Sequence, residues 1–285
     1  MVKHRYIGAV ALAVVAVAAP SAAARQAAVP TRIVSLSPTA TEDLFAIGAG
    51  KQVIAVDNQS NYPANAPKTK LSGYTPNAEA VAAYRPDLVI VSFDANHIVE
   101  SLGKLKVSVL VEPTASTLAQ AYGQLEALGK ATGHASGAAA VVAKMKRQIA
   151  AIAASTPHAS PPITVYHELE PDLYSATSKT FIGRLYTMLG LKDIADAADK
   201  TGSGYPQLSQ EYVVAADPQL IVLADTICCG QSVAKLDKRP GWGTIAALRD
   251  GGVLAVDDDS ASRWGPRVVD FVRDVAAKVK ELEKK

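Results

Sequence analysis

Cysteine is almost missing from this chain: 285 residues contain two, Cys228 and Cys229, and these are adjacent. Neighbouring cysteines cannot tie distant segments together, so a disulfide framework is excluded and the fold must rest on its core. Charge of one sign is also lacking. The 29 Lys and Arg nearly cancel the 27 Asp and Glu, leaving a net +2, which gives no electrostatic case for a nucleic-acid partner. No G-x-S-x-G elbow, H-E-x-x-H helix or G-x-x-x-x-G-K-[ST] phosphate loop occurs, so the usual marks of serine hydrolases, zinc peptidases and nucleotide hydrolases are absent. Nor is there a run long enough to span a bilayer at the N-terminus. Tyr6 to Ala19 is apolar, but about fourteen residues fall short of the ~20 required. That run follows Lys3, His4 and Arg5 and precedes Ser21-Ala22-Ala23-Ala24, the order of a cleavable export signal. Residues 1–24 are therefore expected to be removed. With no cysteine nearby, the mature protein is expected to be soluble and exported to the periplasm or another extracytoplasmic space, not a lipoprotein.

What the chain does contain is a repeat. Residues 79–91 read EAVAAYRPDLVIV and residues 211–223 read EYVVAADPQLIVL, at an offset of 132 (211 − 79). Each copy reads as a short helix opened by a Glu, a proline that ends it, and a strand apolar at every position. Such a strand is covered on both faces and belongs to a parallel sheet. With 49% apolar and 20% charged residues a sizeable core is available, and the length suits two domains. Strands are expected at 32–36, 52–56, 107–111, 163–166 and 253–256, besides the two repeat strands. Thr41 is read as the cap of a helix from Glu42 to Ile47, with Glu42 and Asp43 favouring its dipole. A further helix is read over 116–128, closed by Gly129 and then broken at Gly133. The alanine-rich stretch from His134 to Ser155 places Val142, Met145, Ile149 and Ile152 at helical spacing and is long enough to connect two lobes. The expected fold is α/β: two Rossmann-like lobes with central, mostly parallel sheets joined by one long α-helix. Its divisions are 31–132 for the N-terminal lobe, 133–157 for the connecting helix and 162–285 for the C-terminal lobe.

The segments RIVSLSPTATEDLFAIGAG (32–50), NYP (61–63), PNAEAVAAYRPDLVIV (76–91), PQLSQEYVVAADPQLIVL (206–223) and RWGPR (263–267) together resemble the helical-backbone, class III periplasmic substrate-binding proteins. These are receptors of ABC importers for vitamin B12, ferric siderophores, haem or metal ions. The resemblance covers nearly all of the mature chain. It implies no enzymatic activity and no intrinsic cofactor. The cargo would be a small-molecule metal chelate, the partners the membrane permease subunits of an importer, and the state a monomer. It gives Glu79 and Glu211 a role as one exposed carboxylate per lobe for docking the importer. Their plainer reading is that each decorates the first turn of its helix.

Ligands of open parallel sheets bind outside the carboxyl ends of the strands, so the loops there hold the candidate site. They contain Tyr62, Tyr74 and Phe93 in the first lobe, and Tyr174, Tyr205 and Trp264 in the second. Aromatics make up only 6% of the chain, and rings in loops suit a large flat ligand such as a corrin or porphyrin. Tyr62 aligns with a tyrosine of the family's B12 binder, and Tyr205 stands where that protein has a tryptophan. Arg263 is a candidate for an anionic edge of the ligand because its fork matches carboxylates and phosphates. Arg267, beside Pro266 at a helix start, is a second candidate with a structural reading open beside it. His97 and His167 follow predicted strands and are weak metal candidates, without dense ligand spacing. Cys228 and Cys229 are consistent with a vicinal disulfide or with two thiols. A corrinoid is the favoured cargo, a ferric siderophore or haem next. A receptor for free Zn, Mn or Fe ions and an exported metal-dependent hydrolase are the alternatives.

Overall fold

The computed structural model describes Met1 and residues 28–284; the expected export signal lies outside them apart from Met1. The chain starts with β1 (Ile33–Leu36), α1 (Pro38–Ala46), β2 (Val53–Asp57), β3 (Lys68–Leu71), α2 (Ala78–Ala82), β4 (Leu88–Val91), α3 (Ile98–Lys104), β5 (Ser108–Val111) and α4 (Leu118–Thr132). The long helix α5 (Ala135–Ser155) follows. After it come β6 (Thr164–Glu168), α6 (Phe181–Met188), β7 (Lys192–Asp193), α7 (Gln210–Ala216), β8 (Leu220–Leu223), α8 (Val233–Leu236), α9 (Ala246–Arg249), β9 (Val253–Ala255), α10 (Asp258–Ser262) and α11 (Val268–Leu282). Two sheets result, ordered β3-β2-β1-β4-β5 and β7-β6-β8-β9, and the strand pairs of both are parallel.

The repeat extends beyond the two copies visible in the sequence. Ile33 pairs with Leu88 and Val165 with Leu220, so the register itself recurs at 132 (165 − 33 and 220 − 88). The helix caps recur too. Asn77 accepts from Ala80 N and Ser209 from Tyr212 N, again 132 apart. In β4, Leu88 and Ile90 enter one apolar cluster and Val89 and Val91 another. Leu220 and Val222 of β8 likewise face away from Ile221 and Leu223. This two-sided burial is why neither strand alternates with polar residues. Each such side chain contributes about 1.5–3 kcal/mol on burial.

One core runs through both halves. It joins Ile33 and Leu44 of the first lobe to Val165, Leu185 and Phe271 of the second by way of Val142, Met145 and Ile149 of α5. At 21 residues, α5 spans ~30 Å. Helix α4 lies against it so closely that a Cβ on Gly129 would fall 2.5 Å from the Ala138 Cβ. Gly129 is thus a packing residue inside α4, not the helix end read from the sequence; the end is Gly133, in the left-handed region.

Helix α1 starts earlier than expected. Ser37 is its N-cap and Pro38 occupies the first turn, where a missing N–H is harmless. Thr41 instead donates to the Ser37 carbonyl, and Glu42 and Asp43 are buried one turn in. The short edge strands β3 and β7 and helix α3 had no legible pattern, because an edge needs little apolar periodicity.

Candidate ligand site at the ends of the parallel strands

Neighbouring strands β1 and β4 continue into connections that leave the first sheet on opposite sides, so their carboxyl ends diverge and leave a crevice. A cavity of about 310 Å³ lies there. Ser37 and Ser92 form its floor, with the Ser92 hydroxyl donating to the Ser37 hydroxyl at 2.8 Å. Tyr74 and Phe93 form one wall, ring centroids 6.2 Å apart and tilted by 50°. Gly73 lets the loop reach this wall, since a Cβ there would sit 2.4 Å from the Leu36 carbonyl oxygen. Asp57 also lines the cavity. Burial raises its carboxyl pKa, against the lowering effect of the hydrogen bonds from Ser60. The far wall is Asp259, Ser262, Arg263 and Trp264, which follow the carboxyl end of β9 in the second sheet.

The sequence candidates therefore divide. Tyr74, Phe93, Arg263 and Trp264 come together around this cavity. Tyr62 faces a separate hollow of about 470 Å³ beside Phe45, Pro63 and Pro266, its ring under the Arg267 guanidinium at 4.6 Å. Tyr174 and Tyr205 share a small ribbon in the second lobe, where Tyr174 bridges Gln207 and Ser175 N donates to the Pro206 carbonyl. Both are exposed and neither lines the first cavity.

The arginines have a role the sequence did not show. Arg263 donates to Glu42 at 2.7 Å, Asn61 at 2.9 Å, the Gln59 carbonyl at 3.0 Å and Asp259 at 2.7 Å. Arg267 grips the same Glu42 through Nε at 2.8 Å and Nη2 at 2.7 Å. Glu42 is buried, so the carboxylate read as a helix-dipole residue is instead the counter-ion of two arginines from the far end of the chain. Four N–H donors of Arg263 are thus engaged within the protein although it lines the cavity, and Arg267 is held as its structural reading allows. Trp264 is pinned similarly, its indole N–H donating to Gln124 at 2.7 Å. Asp43 and Glu112, buried beside this cluster, carry raised pKa values. Burial pushes Glu112 to about 8, and burial, then the Glu112 charge, holds Asp43 well above the usual range.

The second sheet has the same crevice between β6 and β8, and protein fills it. Glu168, at the end of β6, takes a bidentate grip from Arg239 at 2.6 and 2.7 Å. Arg239 also lies over the Trp242 ring at 4.4 Å, and the Tyr166 hydroxyl donates to Glu168 at 3.1 Å. The carboxyl oxygens of Asp225, just past β8, accept no hydrogen bond among the described residues. Burial, then the neighbouring Glu168 charge, pushes its carboxyl to about 7. His167 is fully buried with Nδ1 2.6 Å from the Tyr186 hydroxyl, and burial pulls its pKa to about 3. It is a neutral core residue out of reach of the cleft. His97 is exposed in a left-handed turn before α3. Among the described residues, no group of three or more His, Cys, Asp or Glu is arranged to hold a metal ion. Cys228 and Cys229 are joined as a vicinal disulfide. Glu79 and Glu211 are exposed in the first turns of α2 and α7.

Two lobes of parallel sheet on a shared core, with a hollow where their strand ends meet, define a bilobal ligand-binding protein. The chain belongs to the Periplasmic binding protein family, which matches residues 33–260. It is 32% identical over 250 residues to a cobalamin-binding protein of Halobacterium salinarum, covering 85% of this chain and 67% of that one. It is 30% identical over 259 residues to the ABC transporter substrate-binding lipoprotein YvrC of Bacillus subtilis, covering 88% and 80%. Among solved structures it is similar in fold to the periplasmic heme-binding protein RhuT of Roseiflexus sp. RS-1, with a TM-score of 0.76, 24% identity, and coverage of 88% and 98%. No helix among the described residues is long and apolar enough to cross a membrane.

Proposed function

We propose that this chain is a non-enzymatic receptor that captures a bulky metal chelate outside the cytoplasmic membrane and delivers it to an ABC importer. The observation that carries the reading is the hollow at the divergence of β1 and β4, walled by Tyr74 and Phe93 from one lobe and Trp264 from the other. Three rings around one cavity, in a chain poor in aromatics, suit a flat macrocycle. The similarity to a cobalamin-binding protein favours a cobalamin-type corrinoid, with haem and ferric siderophores next. Titration of the mature protein with cyanocobalamin, haemin and a ferric siderophore tests this. Saturable binding of one of them at micromolar or lower concentration is expected; binding of none of the three overturns it, and turnover of a substrate would point to an enzyme instead.

Glu79 and Glu211 act in this reading as the importer-facing carboxylates, one per lobe and at matched helix positions. Changing both to Ala is expected to abolish uptake in cells and leave chelate affinity intact. A fall in affinity would place them in the binding chemistry instead. We also propose that the chain is exported and unlipidated and works as a monomer. The Bacillus relative is named a lipoprotein, which runs against the second point. In this sequence the two cysteines lie at 228 and 229, joined to each other. An acyl-chain mass on the protein purified from membranes would overturn that assignment.

A further inference from the structure

The loop after β8 carries an exposed feature that neither the fold nor the cavity explains. Ile227 is 68% exposed, and Cys228 and Cys229 beside it are also exposed and bonded to each other. Bonding adjacent cysteines closes an eight-membered ring, one side of which is CH2–S–S–CH2. That side has no strong hydrogen-bonding group and is highly polarisable, so it adds an apolar, sulfur-rich face next to the Ile227 side chain. A lone exposed Ile is ordinary on a protein surface, but beside this ring it adds to one apolar face.

The loop is held in place, and the clamp leads to the ligand site. Asp258 accepts hydrogen bonds from three successive backbone N–H groups, of Thr226 at 2.8 Å, Ile227 at 3.0 Å and Cys228 at 2.7 Å. Asp258 opens α10, and the next residues of that short helix, Asp259 and Ser262, line the cavity wall. Strands β8 and β9 are parallel, with Leu223 paired to Ala255, so the disulfide loop and α10 leave the sheet from the same edge. That edge meets the first lobe, where Asn61 donates to Asp259 at 2.6 Å.

We infer that Ile227 and the Cys228–Cys229 ring form an apolar ledge of the ligand site, resting on one face of a tetrapyrrole-type macrocycle held between the lobes. The inference rests on the receptor reading above and extends it. Sulfur meets delocalised rings favourably, and the ledge supplies the second lobe with a contact that Tyr74 and Phe93 supply in the first. The ring also has a structural merit as a contact surface. Its own bond fixes both side chains, so little rotamer freedom is lost on binding.

The test is a titration of the mature protein with cyanocobalamin, haemin and a ferric siderophore, in three forms: unmodified, Ile227→Ser, and Cys228→Ser with Cys229→Ser. Each variant is expected to bind the macrocycle about tenfold more weakly, the scale of one buried apolar group, with an unchanged thermal midpoint. In a second measurement the unmodified protein is treated with a phosphine reductant, and freed thiols are counted by alkylation and mass. Saturating macrocycle is expected to slow reduction of the disulfide several-fold. Full affinity in both variants, or reduction at the same rate with and without macrocycle, overturns the inference while leaving the receptor reading intact. Binding of a ferric siderophore alone overturns the inference and keeps the receptor; binding of none of these chelates overturns both.

Discussion

The two lobes place the same strands in the same register and put opposite chemistry at their ends. Counting forward by 132, Ser35 corresponds to His167, Leu36 to Glu168, and Phe93 to Asp225. In the first lobe these positions are small or apolar, and a cavity with a ring on its wall remains. In the second they are titratable, and Arg239 closes the crevice by pairing with Glu168. A duplicated scaffold thus leaves one crevice open and seals the other from within. In the sealed one burial lowers the His167 pKa to about 3, and burial beside Glu168 raises the Asp225 carboxyl to about 7, where one guanidinium faces two carboxylates.

The largest effect that would break this contrast comes from removing the seal's cation. Arg239→Ala leaves Glu168 buried without its counter-ion and is expected to destabilise the protein by about 3–5 kcal/mol, read by urea denaturation. A loss under about 1 kcal/mol would show the pair to be solvated. The next effect is a pH dependence to which both lobes contribute. Glu112 of the first lobe has a folded pKa of about 8 against an ordinary 4.5. The folded state keeps that proton between those values while the unfolded state releases it, so stability falls as pH rises from 4.5 to 8. Glu112→Gln should reduce this slope, leaving the part that the buried Asp193 and Asp225 carboxyls of the second lobe contribute in the same direction. His167 acts in the opposite direction, since its depressed pKa removes stability as pH falls from 6.5 towards 3, and this acid limb should persist in the variant. An unchanged slope above pH 4.5 would contradict the assignment to Glu112. The smallest effect sharpens the open side. Gly73→Ala pushes a methyl at the Leu36 carbonyl, and about 1–3 kcal/mol of overpacking is expected to appear mainly as weaker chelate binding. A stability loss with full affinity would place Gly73 outside the site.

Much of this was legible in the residues, and for a physical reason. Strands covered on both faces write themselves as unbroken apolar runs, as 88–91 and 220–223 do. The connector announced itself by Val142, Met145 and Ile149 at helical spacing. Tyr74 and Phe93 stood out as rings in loops, and they line the β1–β4 cavity together with Trp264, which also packs on the core. The roles of Glu42, Arg263 and Arg267 were hidden because their partners lie more than two hundred residues away. The sealed crevice was hidden likewise: Glu168 and Arg239 are 71 apart, and an isolated charge in a sequence reads as surface. Tyr62 was read into the cleft from its context, but Arg267 holds its ring at a neighbouring hollow.

The most direct test of one open and one sealed crevice is a single side-by-side titration with whichever chelate the mature protein binds. One variant carries Tyr74→Ala with Phe93→Ala; the other carries Glu168→Gln with Arg239→Met, which removes both charges of the seal together. The first is expected to lose about tenfold or more in affinity, and the second to stay within about twofold of the unmodified protein. Retained affinity in the first with a large loss in the second would contradict the assignment of the ligand to the β1–β4 crevice.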